Sequence, residues 1–153
     1  MSKSYSKEKL FKRRTIGRLA AVQVLFQIEQ TGASASEVVL EFMTHRLKDV
    51  ENGLSKADTT FFTKLAEGAW KIHERSDEMV RGALKKGWDL DRIEPVTRAI
   101  LRAALYELSE TQTAPAVIMN EYLNITHDFF DTTEVAFVNG VLNTITKKIR
   151  PIT

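Results

Sequence analysis

The stretch Pro95-Val96-Thr97-Arg98-Ala99-Ile100-Leu101-Arg102-Ala103-Ala104-Leu105-Tyr106-Glu107-Leu108 decides the fold class. Ile100, Ala103 and Ala104, flanked by Leu101, Leu105 and Leu108, return at steps of three and four, the period of a helix that buries a broad apolar face. Pro95 stands where the first turn of a helix has no use for an N–H. Downstream the same period recurs in Ile118, Tyr122, Ile125 and Phe129, then in Val138, Leu142, Ile145 and Ile149. Upstream it recurs in Leu19, Val22 and Phe26 beside Ala21, Leu25 and Ile28, in Val39, Met43, Leu47 and Val50, and in Phe62, Leu65, Ala69 and Ile72.

Local signals agree with these stripes. Ser34 with Glu37 and Asp131 with Glu134 have capping-box spacing, and Pro115 marks another helix start. Thr31-Gly32, Asn52-Gly53, Gly87 and Thr111 to Thr113 interrupt the pattern, and strand-like alternation is absent. The reading predicts an all-α chain of about seven helices in two small packed bundles. A basic, flexible arm covers 1–12, and a single helical domain covers 13–153: an N-terminal bundle over about 13–76, a bridging helix over about 77–88 and a C-terminal bundle over about 92–149. No long Pro, Gly or Ser linker separates the halves, and no internal repeat is evident. Gly17, Gly68, Gly82 and Gly140 lie inside helical patterns, each at a cost of up to about 1 kcal/mol relative to Ala. Close approach of two helix backbones is the expected compensation, with a ligand brought near the backbone as the alternative at Gly140.

A chain of 153 residues is long enough to bury roughly 70% of its unfolded surface in one core. Apolar residues at 43% and charged residues at 27% argue against wholesale disorder. The absence of cysteine excludes disulfides, thiolate catalysis and sulfur-ligated metals, and fits a cytoplasmic location. The longest run without a charge is the 12 residues from Val135 to Thr146, short of the roughly 18 that a membrane span needs. The basic start followed by Leu19 to Ile28 and Ala33-Ser34-Ala35 imitates a secretory signal. Gln23 and Gln27 interrupt that run, and its apolar residues have the helical spacing of a core.

Enzyme chemistry is not evident. His45, His73 and His127 lie too far apart for a helical metal motif, and phosphate-loop, dinucleotide and nucleophile-elbow motifs are missing. The acid pairs Asp77 with Glu78, Asp89 with Asp91, and Asp128 with Asp131 sit where carboxylates cap helices or face water. Trp70 adjoins a core stripe, whereas Trp88 follows a Gly and precedes acids. No catalytic residue, cofactor or metal is predicted.

Charge is the informative feature. The net value is +2, yet the first 18 residues hold Lys3, Lys7, Lys9, Lys12, Arg13, Arg14 and Arg18 against Glu8 alone. A basic start on a mildly acidic body points to an anionic partner, with a solvated tail as the alternative. Because Lys12, Arg13, Arg14 and Arg18 lead into a helix, several cations can lie pre-ordered for phosphates. About four phosphate contacts to a single strand give a salt slope of roughly −3 on logarithmic axes.

The runs Arg13-Arg14 through Arg18-Leu19-Ala20-Ala21-Val22-Gln23-Val24-Leu25-Phe26, Pro95 to Leu108, Pro115 to Asn120-Glu121, and Phe137-Val138-Asn139-Gly140-Val141-Leu142, in that order, resemble the NusB family of bacterial transcription antitermination factors. The resemblance implies an all-helical fold of two bundles that binds the boxA sequence of nascent RNA and pairs with NusE, a ribosomal small-subunit protein. It also implies a place in an RNA polymerase complex that resists termination, notably on ribosomal RNA operons.

Carried over by position, Arg13, Arg14 and Arg18 match the family's arginine-rich start, Gln23 lies on the same helix, and Phe137 matches an aromatic near the RNA. Arginines neutralise phosphates, and Phe137 offers a face to an unstacked base; core packing is its other reading. Asn139 is either a base contact or a fixer of backbone geometry. The resemblance places NusE contacts around Phe26 and around Glu94, Pro95 and Thr97. The chain departs from many relatives at Thr97, where they carry an acid, at Thr15 and Ile16, where they carry arginines, and at Ala136, where they carry a basic residue. Two rival readings keep the fold: an accessory domain related to RNA methyltransferases, and a protein-interaction module, such as a homodimer that conceals the RNA surface.

Overall fold

The computed structural model describes residues 7–46 and 57–151. Among the described residues there are seven α-helices and no strand: α1 (Lys7–Thr31), α2 (Ala35–His45), α3 (Thr59–Lys71), α4 (His73–Ala83), α5 (Pro95–Glu110), α6 (Pro115–Phe129) and α7 (Thr132–Ile149), with a 3-10 turn at Leu90–Arg92 before α5. The chain divides into two compact units, Met1–Gly68 and Ala69–Thr153.

In the first unit α1 packs on α2. Ala20, Ala21, Val24, Leu25 and Ile28 of α1, Val38, Val39 and Phe42 of α2, and Phe62 and Leu65 of α3 are all buried. The rings of Phe42 and Phe62 lie 5.6 Å apart. The run that imitates a secretory signal is thus core-forming helix. The Ser34 hydroxyl accepts from the Glu37 N–H at 3.3 Å, the cap its spacing predicts. Of the stripe Val39, Met43, Leu47 and Val50, the last two fall outside the described residues, as do residues 1–6 of the expected arm, while Lys7 to Lys12 form the first turns of α1.

The second unit is organised around α5, which packs against α4, α6 and α7. Ala99, Ile100, Leu101, Ala103, Ala104, Leu105 and Leu108 are buried, so this helix is apolar over most of its circumference. Its buried polar groups are met by its neighbours. Arg102 makes a two-pronged contact with Asp77 of α4, each N–O pair at 2.9 Å, and its guanidinium lies 5.5 Å from the Trp70 ring centre. Glu107 accepts from the Tyr122 hydroxyl of α6 at 2.6 Å. The Thr97 hydroxyl donates to Glu134 of α7 at 2.6 Å. The last turn of α5 carries no basic residue. Arg150, just beyond α7, donates instead to the carbonyls of Leu108 (2.8 Å), Glu107 (3.3 Å) and Thr111 (2.7 Å), which satisfies acceptors that helix ends leave open.

Several expectations change. Phe129, read into the α6 stripe, is 46% exposed. Gly82 and Gly140 have no helix against them, since a Cβ there would meet nothing within 4 Å. At Gly17 the close approach is real: a Cβ would lie 3.2 Å from Cδ2 of Phe61. The bridging helix read over 77–88 instead spans His73–Ala83. It stops before a turn closed by the Trp88 N–H on the Lys85 carbonyl at 3.0 Å, with Gly87 at φ +92°, a conformation other residues adopt at a cost.

Arg102→Met retains much of the side chain's volume but strands Asp77 in a largely buried position. We predict a loss of about 3 kcal/mol and a fall in Tm of roughly 6–12 °C, measured by thermal denaturation. A shift under about 2 °C would contradict a structural role for the pair.

Candidate nucleic-acid interface

The cations at the start of α1 do not share one environment. Lys12, Arg13 and Arg14 are exposed, whereas Arg18 is 2% exposed. Arg14 and Arg18, one helical turn apart, both face Phe61 of α3, with guanidinium carbons 5.1 and 4.9 Å from its ring centre. The negative face of an aromatic ring attracts such cations, more strongly when water is excluded. Gly17 makes the arrangement sterically open, because a larger side chain there would press on the same ring.

Asp58 completes the corner. Its N–H donates to the Arg13 carbonyl at 3.0 Å, and its carboxylate accepts from the Phe61 N–H at 3.0 Å at the start of α3. The second carboxylate oxygen stands 3.8 Å from Nε of Arg14. The start of α3 is thereby fastened to α1, and Phe61 is held beneath the arginines. Arg18, expected at the RNA, lies on the buried Arg18–Val22–Leu25 stripe. Gln23 is half-buried, and its Oε1 is enclosed without a hydrogen-bond partner, so that oxygen is unavailable to a base.

In the second unit, Phe137 is half-buried, neither core nor free surface. It lies on one face of α7 with Thr133, Gly140, Val141 and Thr144, and that face forms a wall of a cleft of about 500 Å³. The opposite wall is the end of α4 and its turn, with Leu84, Lys85 and Trp88. Trp88 is 49% exposed, and its ring lies 6.1 Å from that of Phe137, tilted by 33°. Asn139 is half-buried and does not line the cleft.

Among the expected partner contacts, Phe26 is 36% exposed in the first unit and Glu94 is exposed at the start of α5 in the second. Thr97 is 0% exposed and donates to Glu134. The residue expected at a partner thus forms an internal tie between α5 and α7. Phe61 and Trp88 were not identifiable as site residues from spacing, because each acquires its role from a distant segment. Among the described residues no group of three or more His, Asp or Glu could hold a metal, and no helix is long and apolar enough to cross a membrane.

The NusB family model matches residues 15–147. The transcription antitermination protein NusB of Caulobacter vibrioides is 41% identical over 140 residues, covering 90% of this chain and 94% of the relative. That of Gluconobacter oxydans is 39% identical, covering 88% and 87%. Among solved structures, T. maritima NusB superposes with a TM-score of 0.73 at 26% identity, over 88% of this chain and 91% of that one. A complex of the antitermination factors NusB and NusE with double-stranded RNA has a similar chain, with a TM-score of 0.75 at 24% identity over 90% and 98%.

If the ring beneath the arginines contributes through its charge distribution, Phe61→Leu and Arg18→Met should not be additive. We predict a coupling of about 1 kcal/mol in urea denaturation of the single and double variants. A coupling below about 0.3 kcal/mol would show that Phe61 merely fills space.

Proposed function

The chain belongs to the NusB family, and from that premise we propose that it is a transcription antitermination factor of the cytoplasm that binds boxA RNA together with NusE. It acts by binding alone, within an RNA polymerase antitermination complex, notably on ribosomal RNA operons. The observation that carries this reading is the cluster of exposed cations at the start of α1, Lys12, Arg13 and Arg14, pre-ordered by the helix and by Phe61 and Asp58. Holding a guanidinium in place before binding reduces the entropy lost when phosphate arrives.

The two units divide the labour. Lys12, Arg13 and Arg14 supply charge from the first, with Arg18 as the residue that positions Phe61 and through it Arg14. Phe137 supplies an aromatic face from the second, suited to an unpaired base. Phe26 and Glu94 are the exposed candidates for contact with NusE. Support for both partners comes from the solved complex whose NusB chain shares this fold.

With Arg18 inside, three phosphate contacts remain, and the salt slope for a single strand becomes about −2 rather than −3. Arg13→Ala with Arg14→Ala should bring it near −0.7 and weaken boxA binding at least about tenfold, as read by fluorescence anisotropy from 50 to 200 mM salt. An unchanged slope in the double variant would reject the start of α1 as the phosphate site.

A further inference from the structure

We propose that the cleft between the Lys85–Trp88 turn and α7 is a stacking pocket for one unpaired RNA base, with Trp88 as its principal platform. The inference rests on the RNA-binding reading and extends it to a residue and a site that the sequence left open.

Three observations carry it. First, Trp88 is 49% exposed although it is the largest apolar surface residue of its segment, and its ring is set beside that of Phe137 at 6.1 Å. Two tilted rings at that spacing leave no room for a base between them, so they form an aromatic corner whose free face belongs to Trp88. Second, the placement of Trp88 is built rather than incidental. The turn is closed by its N–H on the Lys85 carbonyl, and Gly87 takes the positive φ that the third position of such a turn demands. The same turn puts Lys85 at the cleft and exposes Lys86 next to it. The following acid, Asp89, turns its carboxylate to the Leu90 N–H at 2.8 Å, at the start of the 3-10 turn.

Third, Gly140 lies in the middle of α7, where glycine weakens a helix, and no packing contact explains it. A Cβ there would meet nothing within 4 Å, yet the residue lines the cleft opposite Trp88. Its missing side chain is open volume of the pocket. An aromatic platform, an open floor and lysines at the lip match the way single strands are held, by stacking on rings and by cations on the backbone. A peptide would find little use for the lysines beside so apolar a cleft.

The test uses the full chain and a boxA oligoribonucleotide in which each base in turn is replaced by an abasic nucleotide. Trp88→Ala should weaken the intact RNA about tenfold or more, with the salt slope unchanged because no phosphate contact is lost. One abasic position should cost the same factor in the natural protein and nothing further in Trp88→Ala. Trp88→Phe should recover most of the affinity. Gly140→Leu should raise the Tm, since it replaces a poor helix former, and still weaken binding by a similar factor by filling the pocket. Misfolding cannot produce that combination.

If the natural protein binds RNA and Arg13→Ala with Arg14→Ala weakens it, while no abasic position couples to Trp88, the pocket is refuted and the wider reading stands. If Trp88→Ala keeps full RNA affinity but no longer co-purifies with NusE, the cleft is a protein contact and the proposal is overturned. If the natural protein shows no affinity for the RNA, the wider reading and the pocket fall together.

Discussion

Helix α5 is enclosed by apolar contacts along most of its surface, yet it carries Thr97, Arg102 and Glu107 into that enclosure. A buried polar group without a partner costs about 1–3 kcal/mol, and a charge costs more. The second unit therefore has to bring Asp77 from α4, Tyr122 from α6 and Glu134 from α7 to fixed points on α5, and it does. Apolar packing alone would tolerate a helix that slides or rotates by a few degrees. Directional pairing on three sides fixes the orientation of each surrounding helix. Because Thr97 binds near the start of α7 and Arg150 clasps the end of α5 from beyond it, α7 is held at both ends. The face that carries Phe137 and Gly140 inherits its position from those ties.

The first unit solves a related problem on a smaller scale. Arginines repel one another when they crowd one helix face, and a flexible side chain loses entropy when it is ordered. Burying Arg18 against Phe61 gives up one outward charge but stabilises the ring that also supports Arg14. Asp58 serves three tasks at once: it caps the start of α3, donates its N–H to the Arg13 carbonyl of α1 and stands beside Arg14. The outcome is an exposed Arg14 guanidinium held in place beside the exposed Lys12 and Arg13.

Much of the fold was legible in the spacing of apolar residues, since the stripes of α5 and α7 and the caps at Ser34 and Asp131 need only local chemistry. The site was less legible, and the burial of two expected site residues shares one cause. Arg18 lies a turn before Val22 on a buried stripe, and Thr97 a turn before Leu101 on another. The family resemblance pointed both outward, whereas position pointed both inward. What decides between the two is a partner supplied from far along the chain, Phe61 for one and Glu134 for the other. Phe129 shows the converse: it has the period of a core residue but is 46% exposed. Period reveals which residues share a face, and only tertiary contact reveals what the face meets.

Under the proposed function, RNA is held by exposed cations of α1 and by the aromatic face that α7 presents. Photocrosslinking of boxA RNA carrying 4-thiouridine at successive positions, followed by mapping of the crosslinked peptides, tests it most directly. Crosslinks concentrated in the peptides that contain Arg13 and Arg14, Trp88, and Phe137 are the predicted result. Crosslinks confined to α2 or α6, with those three peptides unmodified, would contradict it.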